Sequence, residues 1–242
     1  MSDFLSIVIP AYNEEDNIEA VVRESLEVLQ NLSDRFEIVV VDDASTDATW
    51  YKLQELAKQI AQLRIIRNEK NLGCHPASLV GYQAAQGDYR YFIPADRQIP
   101  AAEITKFLEK AKAGFDVVYS WRQKRADPFH RIWISNVYNL ILNLFFGIKV
   151  HDVDSSEMLT RTAVERILPN IHADNVLITT EILLEARRQG LSIAEVVIEH
   201  RPRTAGKALS GLNAEILRLP GNFFRILFWF WGQKLKGRMT HG

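Results

Sequence analysis

Three polar clusters carry the residue types best suited to chemistry in this chain. Ala11-Tyr12-Asn13-Glu14 follows the apolar run IVIP (7–10), Asp42-Asp43 follows IVVV (38–41), and Ala95-Asp96-Arg97-Gln98 follows YRYFIP (89–94). Carboxylates accept hydrogen bonds from N–H and O–H donors, and a tyrosine offers a ring face for stacking. Two basic groups complete the set: Arg122, Lys124, Arg125 and Arg131, then Arg201, Arg203 and Lys207. Arginine suits bidentate phosphate contact and lysine a point-charge contact, although any one of these cations could equally be solvated.

The apolar runs that precede these clusters set their geometry. A Val/Ile-rich run of four or five residues without alternation fits a strand buried on both faces. Between the first two runs lies a helical pattern over about Asp16 to Leu32, giving one β-α-β unit. The alternation continues with a helix over 49–59, a strand over 63–67, a turn at Asn71-Leu72-Gly73 and a helix over 77–86. Strands over 89–94 and 116–121 flank a helix over 101–113, opened by Pro100. Strands alternating with helices imply an α/β fold with a mostly parallel sheet and helices on both faces. Ligands in such sheets bind outside the carboxyl ends of the strands, so the clusters share one rim. Beyond Trp121 the pattern changes: a basic loop over 122–131, a long apolar helix over 132–148, a loop holding Asp152 and Asp154, a helix over 179–189 and a strand over 193–200.

Composition places the 242 residues, 47% hydrophobic and 24% charged, among ordinary globular chains, with one boundary expected near Gly206. The formal net charge of −1 hides an asymmetry, because from Arg201 onward eight Lys or Arg face one acid, Glu215. Within that segment, LPGNFFRILFWFW (219–231) packs four Phe and two Trp into nine residues. An amphipathic aromatic helix of this kind, flanked by cations, fits a membrane interface; packing on the domain or on a second subunit of a homo-oligomer is the alternative. Cys74 is the one cysteine, so no intramolecular disulfide forms. The amino terminus lacks a signal-peptide pattern, and no stretch has the 18 or so uninterrupted apolar residues of a spanning helix. His75, His130, His172 and His200 lack metal-ligand spacing.

Taken together, IPAYNEE, VVVDDASTD, NLG followed by a helix, PADRQ and HRPRTAGK resemble the family-2 glycosyltransferases of GT-A fold, in particular their polyprenyl-phosphate, dolichol-phosphate-mannose-synthase-like branch. The resemblance covers roughly Ser6 to Lys207 and divides the chain into a GT-A domain (1–206) and a basic, aromatic segment (207–242). It implies transfer of a sugar, with inversion, from a nucleotide-diphosphate donor to a polyprenyl phosphate at the cytoplasmic face of the membrane, by a peripheral enzyme. No nucleic-acid partner is implied.

The site residues follow from the same resemblance. Asp43 matches the residue that bonds the base, with Pro10, Tyr12 and Glu14 walling that pocket. Asp96 matches the second carboxylate of a metal-binding Asp-x-Asp whose first is replaced by Pro94. Asp96 and Gln98 would hold Mg2+ or Mn2+, with Ala95 beside them. Arg122, Arg203 and Lys207 would meet phosphate, and Asp154 or Asp152 would orient acceptor or sugar. Glu181 matches a family glutamate without an assigned role. Turn roles for Asp42 and Asp43, with Asp42 the more structural, and a helix-capping role for Asp96 remain the alternatives. Two other functions stay open: transfer to a glycan or small-molecule hydroxyl, and non-catalytic binding of a sugar nucleotide.

Overall fold

The computed structural model describes residues 3–123, 139, 140, 142, 144, 150–153 and 155–203. Its strands are β1 (Phe4–Ala11), β2 (Arg35–Asp42), β3 (Leu63–Arg67), β4 (Tyr89–Phe92), β5 (Val117–Trp121), β6 (Glu157–Thr160) and β7 (Ile193–Val197). Its helices are α1 (Ile18–Leu32), α2 (Thr49–Gln59), α3 (Cys74–Ala84), α4 (Ile104–Lys112), α5 (Arg161–Ile167) and α6 (Ile178–Arg188). The seven strands form one sheet in the order β3-β2-β1-β4-β6-β5-β7. Every pairing is parallel except those of β6, which runs antiparallel to both β4 and β5.

The two faces of β1 explain why its run is apolar throughout. Leu5, Ile7 and Ile9 share a core with Ile38 and Val40 of β2 and with Ile18, Val21, Val22 and Leu29 of α1, whose helical spacing puts them on one face. The alternate residues Val8 and Val41 meet α3, which comes close enough that a Cβ on Gly81 would sit 2.3 Å from Val8 Cγ1. Helices therefore cover both faces, as the alternating pattern predicts.

Four elements differ from expectation. The segment 156–167 carries β6 and α5, neither of which the sequence pattern reveals. β6 is four residues long and contains Glu157, a charge that reads as loop. In the fold Glu157 is 1% exposed and accepts a hydrogen bond from Tyr82 Oη at 3.0 Å. The expected strand over 193–200 ends at Val197, and the helix over 101–113 is a 3-10 turn (Ala101–Glu103) followed by α4. Of the helix expected over 132–148, Asn139, Leu140, Leu142 and Leu144 are helical and the other positions lie outside the described residues. The boundary near Gly206 and the aromatic segment 219–231 lie outside them too.

Candidate active site at the carboxyl edge of the sheet

The loops leaving β1 and β2 clasp each other. Asn13 N–H donates to Ser45 Oγ (3.0 Å), Thr46 N–H to Asn13 Oδ1 (2.8 Å), Glu14 N–H to Thr49 Oγ1 (2.9 Å), and Ala48 N–H to Glu15 Oε2 (3.0 Å). The reciprocity explains why both loops are dense in short polar side chains: each supplies the acceptors that the other's backbone needs. Asn13 and Ala44 take left-handed φ values of 54° and 61° to make the turns.

Both aspartates at the end of β2 are built into this frame. Asp42 is fully buried against Arg67 Nε (3.1 Å), and burial lifts its carboxyl above its usual value despite Ser45 and Arg67. Asp43, 2% exposed, accepts from Asn68 Nδ2 (2.7 Å), Leu72 N–H (3.0 Å) and Gly73 N–H (2.7 Å). It ties the Asn71-Leu72-Gly73 turn to β2, so Asp43 braces the frame as Asp42 does. Pro10 is buried within β1 and Tyr12 half-buried just beyond it.

The third cluster meets the first across the rim. β4 ends at Phe92, and Ala95 is buried behind a turn in which Gln98 N–H donates to Asp96 Oδ1 at 3.1 Å. The segment after β7 docks on that turn. Arg201 N–H donates to the Gln98 carbonyl (2.8 Å), and Gln98 Nε2 donates to the Arg201 carbonyl (3.2 Å). This docking delivers Arg203, whose guanidinium pairs with Glu14 and stands 3.8 Å from Asp96 Oδ2. Glu14 also accepts from Asn17 Nδ2 at 2.7 Å. Burial pushes both carboxyls above their usual values. Asn17 and then Arg203 oppose the rise at Glu14; the Gln98 N–H, Arg203, His200 and Arg122 oppose it at Asp96. His200, unremarkable by spacing, thus lies with Arg203 and Arg122 in the surroundings that oppose the rise at Asp96.

Arg122, just past β5, is held by Asp152 through two hydrogen bonds, Nε to Oδ2 at 2.7 Å and Nη2 to Oδ1 at 2.9 Å. With the two side chains 12% and 3% exposed, this fork aims the guanidinium rigidly.

Residues 6–168, more than half of the chain, match the sequence model of Glycosyl transferase family 2. The chain belongs to this family. It is 38% identical over 152 residues to an undecaprenyl-phosphate 4-deoxy-4-formamido-L-arabinose transferase of Pseudomonas paraeruginosa, covering 62% of this chain and 44% of that protein. The enzyme of the same name from Edwardsiella ictaluri is 29% identical over 210 residues, covering 86% of this chain and 63% of its own length. The chain therefore spans roughly half of these relatives. Glucosyl-3-phosphoglycerate synthase of Mycobacterium tuberculosis, solved with Mn2+, UDP-glucose and phosphoglyceric acid, superimposes with a TM-score of 0.72 at 20% identity over 93% of this chain and 80% of that one. At that identity the likeness establishes the shared GT-A-like fold.

Within this family-2 chain the structure brings together Glu14, Asp96, Gln98 and Arg203, with Arg122 near Asp96, and places Pro10 and Asp43 at the ends of β1 and β2, where Asp43 also braces the 68–73 turn. Asp154, Lys124, Arg125, Arg131 and Lys207 lie outside the described residues. Glu181 closes a loop, accepting from the N–H groups of His172 (2.9 Å) and Ala173 (2.7 Å). Sequence reasoning missed the clasp made by Asn13, Glu15, Ser45 and Thr49; the reciprocal spacing of short polar residues in the two loops was its signal. No helix among the described residues is long and apolar enough to cross a membrane.

Proposed function

We propose that this chain transfers a sugar from a nucleoside-diphosphate donor to a polyprenyl phosphate, inverting the anomeric carbon. The observation that carries the reading is the convergence of Glu14, Asp96 and Arg203 from β1, β4 and the segment after β7 on one half-buried rim. The names of the 29–38% identical relatives support the acceptor class. An oxygen of the acceptor phosphate attacks the anomeric carbon opposite the diphosphate. The new C–O bond forms as the bond to the diphosphate oxygen breaks, and the nucleoside diphosphate leaves with the electron pair. A phosphate monoester is ionised near neutral pH, its second pKa being about 6, so the attack needs no general base. Arg203 stabilises the charge that develops on the leaving group, Arg122 meets the acceptor phosphate, Tyr12 lies at the nucleotide side of the rim, and Asp43 holds the turn that borders it.

Asp96 and Gln98 fit a divalent cation, Mg2+ or Mn2+. They place a carboxylate and an amide on one turn, and the Gln98 nitrogen is spent on the Arg201 carbonyl, leaving the amide oxygen as the ligating atom. Among the described residues no group of three or more His, Cys, Asp or Glu could hold a metal unaided. Donor phosphates and water would complete the shell, as Mg2+ sites commonly have it. When bound, the cation neutralises charge on the departing diphosphate.

Peripheral attachment to a membrane, at its cytoplasmic face on this reading, draws on Leu140 and Leu144 as apolar contacts, four residues apart in helix and 56% and 74% exposed. The test is release of nucleoside diphosphate from a panel of nucleotide sugars with Mg2+ or Mn2+ and undecaprenyl phosphate in detergent. Release that requires lipid, cation and Asp96 is expected; nucleotide binding without release under every condition would sink the reading.

A further inference from the structure

The sheet order separates two halves of the rim. β3, β2 and β1 lie on one side of β4 and its Asp96 turn, and β6, β5 and β7 on the other. On the proposed function, with the nucleotide over the first half, the acceptor phosphate approaches over the second. There the segment 150–153 is fastened to β5 and β7 by contacts that the chemistry above does not use. The His151 ring stacks on Trp121, with centroids 4.2 Å apart and planes 15° from parallel. His151 N–H donates to Glu195 Oε1 at 2.6 Å, and its ring Nδ1 lies 2.7 Å from Glu195 Oε2. A carboxylate only accepts, so Nδ1 carries the proton. Asn139 Nδ2 donates to the His151 carbonyl at 2.7 Å. The next residue is Asp152, the partner that forks Arg122.

We propose that the His151–Glu195 pair is a latch that positions Asp152, and through it Arg122, for an acceptor phosphate monoester. Four features converge on it. Glu195 sits in β7 opposite Tyr119 of β5, so the latch is anchored on two paired strands rather than on a loop. It grips both the backbone and the ring of His151, fixing the direction in which the chain enters Asp152. Asp152 is buried and takes two of the five guanidinium N–H groups of Arg122, so a small displacement of its backbone re-aims the whole guanidinium. And the charge of Arg122 is felt at Asp96, which places the guanidinium beside the turn that borders the transfer on the proposed function. His151 and Glu195 are positioning residues: they touch neither substrate and act through Asp152. The latch lies on the acceptor half, so it sets affinity for the acceptor phosphate and leaves the nucleotide half alone.

The test is calorimetric titration of the full chain with farnesyl phosphate, inorganic phosphate and UDP. His151→Ala and Glu195→Ala each weaken farnesyl phosphate by about fivefold or more, and the double variant weakens it no further than either single one, the non-additivity of residues acting as one unit. UDP affinity stays within about twofold, a split that general loosening of the fold would not give. If Glu195→Ala fails to fold, Glu195→Met, which keeps the side chain's length but offers no carboxylate to accept from His151, carries the same expectation. A loss confined to farnesyl phosphate assigns the site to a lipid ester, and a loss shared with inorganic phosphate assigns it to phosphate in general; either upholds the latch. Unchanged farnesyl phosphate binding, an equal loss for UDP, or no phosphate binding by the wild type overturns it. A wild type that binds farnesyl phosphate but transfers no sugar sinks the proposed function and leaves the latch standing.

Discussion

At the scale of single residues, the site is held in an arrangement that costs stability. Burial raises the Asp96 carboxyl above its usual value, so the folded chain binds its proton more tightly than the unfolded chain does. The contribution is therefore fully present below about pH 4, near the unfolded pKa, and is lost as pH rises through the folded value. Asp96→Asn removes that loss. The expected result is a turnover drop of about a hundredfold or more together with a melting temperature at pH 7 raised by about 2 °C, the gain vanishing near pH 4. Parallel kinetics and thermal scans at the two pH values check both signs, and a variant less stable at pH 7 than at pH 4 relative to wild type would refute the argument. A second residue carries backbone strain. Ala44 has φ 61°, where a Cβ is disfavoured and glycine is not. Ala44→Gly should stabilise by about 0.5–1 kcal/mol, net of glycine's greater freedom in the unfolded chain, as read by urea unfolding.

At the scale of elements, the β-α units were legible and the polar ones were not. β1, β2 and α1 announce themselves because burial on both faces, or on one helical stripe, forces apolar residues into unmistakable periods. β6 stayed hidden because Glu157 interrupts it, and only the three-dimensional placement of Tyr82 supplies the donor that lets a glutamate sit in a core strand. For the same reason the rim was half-legible. The clusters at the strand ends could be read, but not that Asp43 anchors the 68–73 turn or that Arg203, 189 residues from Glu14, closes on it. Gly81 shows the limit of propensity. Exposed in a helix, Gly→Ala gains about 1 kcal/mol. Here the added Cβ would sit 2.3 Å from Val8 Cγ1 and 3.3 Å from Val41 Cγ2, forcing α3 away from β1 and β2. Gly81→Ala should therefore destabilise by about 2 kcal/mol, with Val8→Ala in the same chain recovering part of it. A neutral or stabilising Gly81→Ala in chemical unfolding would show that α3 does not pack this closely.

At the scale of the whole molecule, Arg203 is the tie between the two ends of the fold. The sheet is assembled from an amino-terminal set of parallel units and a later set joined through the antiparallel β6, and the segment after β7 returns to lay one guanidinium between Glu14 and Asp96. Its removal leaves two raised carboxyls without their nearest strong cation. Glu14, 7% exposed, would keep Asn17 but lose both the charge and the hydrogen bond of Arg203, and its pKa would rise further. Arg203→Ala should then cost about 1–3 kcal/mol at pH 7, less than a fully buried pair because Arg203 is partly exposed. The sign with pH follows. The stranded carboxyl can take a proton in acid, so the penalty shrinks as pH falls toward 5, whereas the loss of a purely apolar contact would stay constant. Glu14→Gln in the Arg203→Ala background removes the stranded charge and should restore much of the stability, but it should not restore donor affinity. Stability and donor binding therefore separate in a single double-mutant cycle over Glu14 and Arg203, measured by chemical unfolding at pH 5 and 7 and by nucleotide titration. Recovery of both together would mean that Arg203 serves the fold alone.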